Sequence, residues 1–137
     1  MISEILKPEW TNFFNAVSEK YADWQTKVEI IGNDIGAQVL LPDELPFSGA
    51  VEYKTNRINA IHFILGEKTG ARQTHTIFSP LNVFFETVKD SPGGIIEIED
   101  KRGDKTLVYL KQPIQVLAAY GAGVPSGRPA VKNKVEI

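Results

Sequence analysis

The residues of this chain best suited to acid–base or metal chemistry are its two histidines, His62 and His75, which lie on either side of the turn-like stretch GEKTGA. If a hairpin closes symmetrically about residues 66–71, the two rings stand directly opposite one another. Their Cβ atoms are then about 4.5–5.5 Å apart, close enough to share a proton or a metal ion. A register shifted by one residue pairs Ile61 with Ile77 and Phe63 with His75. That alignment matches the apolar residues better and sends the histidines to opposite faces. In both registers the segments 58–65 and 72–78 contain no Asp or Glu, so the third ligand that zinc or iron requires is missing and no metal site is expected.

Other motifs that could carry chemistry have plain structural readings. In IEIED, Glu97 and Glu99 fall on one side of a strand about 7 Å apart, a spacing that glycosidase carboxylates also use. The other face of the strand is Ile96 and Ile98, and Lys105 is placed to face Glu99, which describes a half-solvated strand. RGD at 102–104 belongs to a hairpin turn. GEKTG lacks the closing Gly-Lys-Ser/Thr of a phosphate loop, and there is no G-x-S-x-G, H-E-x-x-H or C-x-x-C. No catalytic residue and no cofactor are expected, and the balance is against an enzyme. One alternative is a ligand cleft beneath an N-terminal helix, lined by Trp24 and Phe47 and with Gln38 or Tyr53 orienting the ligand; the simpler reading of these aromatics is core.

The elements that would position these residues follow from periodicity. Trp10, Phe13, Phe14, Val17 and Tyr21 are spaced as the stripe of an amphipathic helix over about 8–21, with Pro8 in its first turn and Glu9, Asn12, Asn15, Glu19 and Lys20 on the opposite face. From Thr26 onward, segments rich in Val, Ile, Phe and Thr alternate with turn chemistry, giving strands near 26–31, 36–41, 49–54, 58–65, 72–78, 82–88, 95–100 and 105–111. The connections are too short for crossover helices, so neighbouring strands are expected to pair antiparallel. At DKRGD, Gly103 at a positive φ pairs Ile98 with Thr106, Ile96 with Val108 and Glu99 with Lys105. The expected fold class is α+β, an N-terminal helix on a curled antiparallel sheet or half-open barrel of about seven or eight strands.

Composition bounds the function classes. The 137 residues suffice for one domain, and a net charge of −2 offers no attraction for nucleic acid or anionic lipid. The absence of cysteine and of a signal-like N-terminus favours the cytoplasm. No apolar run approaches the roughly 20 residues that span a bilayer, so no membrane insertion is expected. Residues 1–117 read as a single domain and 118–137 as a Gly/Pro-rich extended arm ending in the alternating segment VKNKVEI. Val131, Val135 and Ile137 of that segment could add as a strand to an exposed sheet edge, of a protein partner or of a second copy.

WQTKVEIIGNDIGAQVL, LPFSGAVEY, THTIFSPLNV and IIEIEDKRGDKTLVYL together resemble a bacterial family of short proteins of unknown function, cyanobacterial ones among them. The resemblance covers about residues 8–112, through Trp24, Gly36, Gln38, Pro46, Gly49, His75, Pro80 and Gly103. It implies no activity and transfers no catalytic residue. The functional expectation is a non-enzymatic interaction or assembly module using the arm or the sheet surface. Its alternative is a ligand-binding or weakly catalytic domain with a site beneath the helix or at His62 and His75.

Overall fold

The computed structural model describes residues 1–32, 36–39, 44–67, 70–87, 89–90 and 92–112. The chain opens with β1 (Ile2–Ile5), a single 3-10 turn (Lys7–Glu9) and α1 (Trp10–Lys20). The helix therefore begins two residues later than its hydrophobic period suggests, because Pro8 sits in the tighter turn that precedes it. Eight strands follow: β2 (Gln25–Gly32), β3 (Gly36–Val39), β4 (Leu45–Lys54), β5 (Asn59–Gly66), β6 (Arg72–Phe78), β7 (Pro80–Thr87), β8 (Gly94–Asp100) and β9 (Lys105–Lys111). Among the described residues no helix is long and apolar enough to cross a membrane.

The α+β architecture is as the pattern indicates, one N-terminal helix packed on an open antiparallel sheet. Eight strands run in the order β1-β7-β8-β9-β2-β4-β5-β6, and β3 pairs with β2. The curl arises at β4. Its first residues, Leu45 and Pro46, pair with Thr26 and Gln25, but from Phe47 onward it pairs with β5, with a bulge between Phe47 and Gly49. A bulge bends its strand and increases the local twist. Two walls result, β1-β7-β8-β9-β2 and β4-β5-β6. Val28, Val83, Ile96, Ile98 and Val108 from the first share one fully buried core with Phe47, Ile61, Phe63 and Leu65 from the second.

Helix α1 closes this core, packing chiefly on β4. Trp10, Phe14 and Val17 are buried, and Phe14 meets Phe63 edge-on at 6.1 Å while Phe13 meets Phe85 at 5.6 Å. Burial of each such ring contributes on the order of 2–3 kcal/mol. Ser18 latches helix to sheet: its Oγ accepts the Ala50 N–H at 2.8 Å and donates to the Phe14 carbonyl at 2.7 Å.

Two features depart from the local reading. Residues 2–5, too short to show a period, form β1 on the edge of β7, and Trp10 Nε1 donates to the Ile5 carbonyl at 2.8 Å. Strands β6 and β7 are sequence neighbours that do not pair. Ser79, with φ +52°, turns the chain so that β6 stays in one wall and β7 enters the other. The β8–β9 hairpin has the expected register, with Gly103 at φ +89°.

Candidate functional site

The β5–β6 register settles the histidine geometry. Ile61 faces Ile77 and Phe63 faces His75, so His75 lies on the inner side of the sheet and His62, opposite Thr76, on the outer side. The outer ring has two neighbours: Nδ1 of His62 is 2.8 Å from Thr76 Oγ1, and the ring packs at 5.8 Å on Tyr53. On the inner ring, His75 Nε2 is enclosed with no hydrogen-bonding partner among the described residues. Burial lowers the pKa of this imidazole below 6.5, which keeps it neutral at pH 7.

His75 forms part of the wall of a cleft of about 400 Å³ that opens between β6 and the opposite wall of the sheet. Its apolar surface comes from Ile30, Ile77 and Phe78. Besides His75, its polar surface comes from Thr76, the Ser79 corner, Thr106 and the β8–β9 turn, with Asp100, Lys101, Arg102 and Asp104. The Ser79 corner and the turn are tied together, since the Lys101 N–H donates to the Ser79 carbonyl at 2.9 Å and the Ser79 N–H to the Asn59 carbonyl at 2.8 Å. Ser79 therefore holds a left-handed conformation that costs a non-glycine residue about 1–2 kcal/mol, and it does so at the lip of the cleft. Asn59 itself carries the second enclosed polar atom without a partner, Oδ1.

The turn beside the cleft is rigid for a local reason. The buried Asp100 carboxylate accepts the backbone N–H groups of Arg102 at 2.8 Å and Asp104 at 3.1 Å, and the Gly103 N–H returns to the Asp100 carbonyl. Arg102 and Asp104 pair at 3.3 Å. Two carboxylates and two cations thus line one side of the cleft with no formal excess of charge, next to a neutral imidazole. Such a surface hydrogen-bonds without attracting an ion from a distance.

Of the other residues singled out in the sequence, Phe47 is fully buried in the core, and Trp24 is half-buried against it, edge-on to Tyr21 at 4.8 Å. Those two are brought together, the Phe47 N–H donating to the Trp24 carbonyl at 2.7 Å. Gln38 is exposed on β3 opposite Ile30, and Tyr53 is exposed beside His62. Val131, Val135 and Ile137 lie outside the described residues. Glu99 faces Lys105 and accepts a hydrogen bond from Asn82 Nδ2 at 3.1 Å, while Glu97 borders a smaller hollow on the outer side of β7 and β8. Among the described residues no group of three or more His, Cys, Asp or Glu could hold a metal ion. The residues missed from sequence are Ser79, Asp100, Lys101, Arg102 and Asp104. Their one sequence signal is the density of charge at DKRGD, which hairpin chemistry alone also explains.

A family model described as a family of unknown function, DUF5335, matches residues 1–118. The chain belongs to this family. The match to DUF5335 starts at residue 1 and so takes in β1 as well as the segments quoted above. No curated protein matches the sequence. Among solved structures the chain is similar to the Bacillus subtilis YojF protein, with 14% sequence identity and a TM-score of 0.48, over 83% of this chain and 97% of that one.

Proposed function

We propose that this member of DUF5335 binds a small, uncharged molecule in the cleft beside His75. The observation that carries the reading is an enclosed ring nitrogen without a partner in the wall of a cleft of about 400 Å³. That volume falls in the range of about 300–1,000 Å³ typical of small-ligand sites, and buried polar atoms left unpaired are rare enough to need a reason. Ile30, Ile77 and Phe78 would take the apolar body of the ligand. The Ser79 hydroxyl and the charge-balanced turn would take its hydrogen-bonding groups, and a rotation of the His75 ring, whose Nε2 is enclosed in the free protein, would bring that nitrogen to it. A library of uncharged heterocycles screened by saturation-transfer NMR tests this, with wild type compared against His75→Phe. Ligands seen with wild type and lost in the variant support the site; an identical set of hits with both proteins would refute it.

A second reading, a protein-interaction module, is favoured by the outer side of β4-β5-β6, where Val51 (50%), Tyr53 (47%) and Phe78 (64%) are exposed. In that reading residues 1–117 are the domain and 118–137 an arm that reaches a partner through Val131, Val135 and Ile137. Quantitative pull-down with the full chain and with a chain truncated after Leu117 tests it. A partner recovered in near-equal amount only by the full chain supports the arm, and equal recovery by both removes it. The lack of cysteine supports a cytoplasmic location under either reading.

A further inference from the structure

Strand β1 stands at one end of the strand order and pairs with β7 alone. Met1 and Thr87 exchange both backbone hydrogen bonds, at 2.8 and 2.9 Å. In an antiparallel ladder Ser3 and Ile5 then also turn their N–H and C=O groups to β7, and those of Ile2 and Glu4 point away from the sheet. This edge is open on both faces: Met1 is 86% and Ile2 63% exposed, and Ser3 and Glu4 are exposed with them. The outer face beside it is acidic. Glu4 stands opposite Phe84, and Glu86 and Glu97 rim the small hollow floored by Ile2, Phe84 and Ile95. Glu99 has Lys105 opposite it and Lys27 lies over the Tyr109 ring, but Glu4, Glu86 and Glu97 form no ion pair among the described residues.

We propose that the C-terminal segment 131–137 adds as a strand to the free edge of β1 in the same chain. In VKNKVEI, extended, Val131, Val135 and Ile137 share one side and Lys132 and Lys134 the other. Beside β1 the lysines fall on the face of Ile2 and Glu4, with their stems along the hollow and their ammonium groups among Glu4 and Glu86. The apolar side chains fall on the face of Met1 and Ile5. Three strands have a partner on one side only, β1, β3 and β6, and charge selects among them. Residues 128–137 carry Arg128, Lys132 and Lys134 against Glu136; β3 has no charged residue, and β6 carries Arg72 and borders the cleft. Length agrees. The described chain ends at residue 112, one past β9, and a strand beyond β1 lies four strand spacings from β9, about 19 Å. The 18 residues 113–130 have the root-mean-square span of a Gly-rich chain, about 21–25 Å. A tether matched to its separation gives a local concentration in the millimolar range, so a pairing too weak to form between molecules forms within one. The proposal is independent of the cleft beside His75, and it gives the arm a place on its own chain rather than on a partner.

Water-exchange NMR of the full chain tests this at the amide of residue 4, which points off the free edge, with the amide of Ser3, which faces β7, as the internal reference. After correction for the intrinsic rate of each sequence, exchange at residue 4 is expected to be about tenfold slower in wild type than in Lys132→Glu/Lys134→Glu, with Ser3 unchanged. Adding Glu4→Lys/Glu86→Lys to that variant restores opposite charges and should restore the slow exchange, a rescue that a merely frayed terminus would not give. Glu4 is exposed and Glu86 sits at the rim of the hollow, so both changes leave the core untouched. The slowing should be the same at about 20 μM and about 1 mM protein, as an intramolecular contact requires. Fast exchange at residue 4 in wild type overturns the proposal, and so does slow exchange that survives the charge reversal. Slowing that grows with protein concentration also overturns it and assigns the edge to the segment of a second copy.

Discussion

Replacing His75 with phenylalanine should make the protein more stable. Enclosing Nε2 without a partner costs about 1–3 kcal/mol, and an apolar ring of similar shape removes that cost. The extra bulk of the phenyl ring has room in the adjoining cleft, so overpacking does not offset the gain. A net gain of about 1 kcal/mol raises the melting temperature of a domain this size by about 3–4 °C. Thermal melts at pH 7.5, with urea unfolding to check that the slope is unchanged, measure it. The gap should also widen in acid. Burial places the folded-state pKa of His75 below the 6.5 of the free side chain, so between those two values the unfolded chain holds a proton that the folded chain does not. Wild type therefore loses stability as the pH falls below about 6.5, and the loss levels off once the folded-state value is passed. The phenylalanine variant has no such component. A variant less stable than wild type at pH 7.5 by 1 kcal/mol or more, on the order of a lost buried hydrogen bond, would refute the reasoning and make His75 a satisfied structural residue.

The rest of the structure offers sharper tests of the frame. Ser18→Ala leaves the Ala50 N–H at the β4 bulge without an acceptor and should cost about 1–2 kcal/mol in urea unfolding. Gly93→Ala would place its Cβ 2.1 Å from the Leu110 carbonyl oxygen, a backbone atom that cannot step aside, and should cost about 2–3 kcal/mol by the same assay. The pKa of Tyr109 is raised above 10.0 by burial, by its hydrogen bond to Glu29 and by the charges of Glu29 and Glu86. A tyrosine absorbance titration should show one late-ionising phenol that disappears in Tyr109→Phe. With the folded pKa raised, the contribution of Tyr109 to stability is present below pH 10 and lost as the pH climbs through the folded value.

Much of the frame was legible because it rests on local patterning. The aromatic stripe of α1, the Gly103 turn and the β8–β9 register each follow from period and turn chemistry within about 15 residues of sequence. The β5–β6 register was legible in the same way, through the match of Ile61 to Ile77. Strand β1 was not, since four residues carry no period and its pairing with Glu86, Phe85, Phe84 and Val83 spans most of the domain. The break between β6 and β7 hides for a different reason. Ser79 is an ordinary residue in a left-handed conformation, held there by Asn59 and Lys101 rather than by any preference of its own. Because that corner and the bulge in β4 set the curl, they also decide which distant residues meet His75. Asp100 and its turn could be placed on a hairpin from sequence, but their approach to β6 is a property of the curled sheet.

The most direct test of the ligand cleft is the ring of His75 itself, observed by ¹⁵N-edited NMR of the full chain as the strongest uncharged heterocycle from the screen is added. The account predicts that the Nε2 resonance of His75 shifts along the saturation curve of the ligand. A ligand that saturates without moving His75 Nε2 would contradict it.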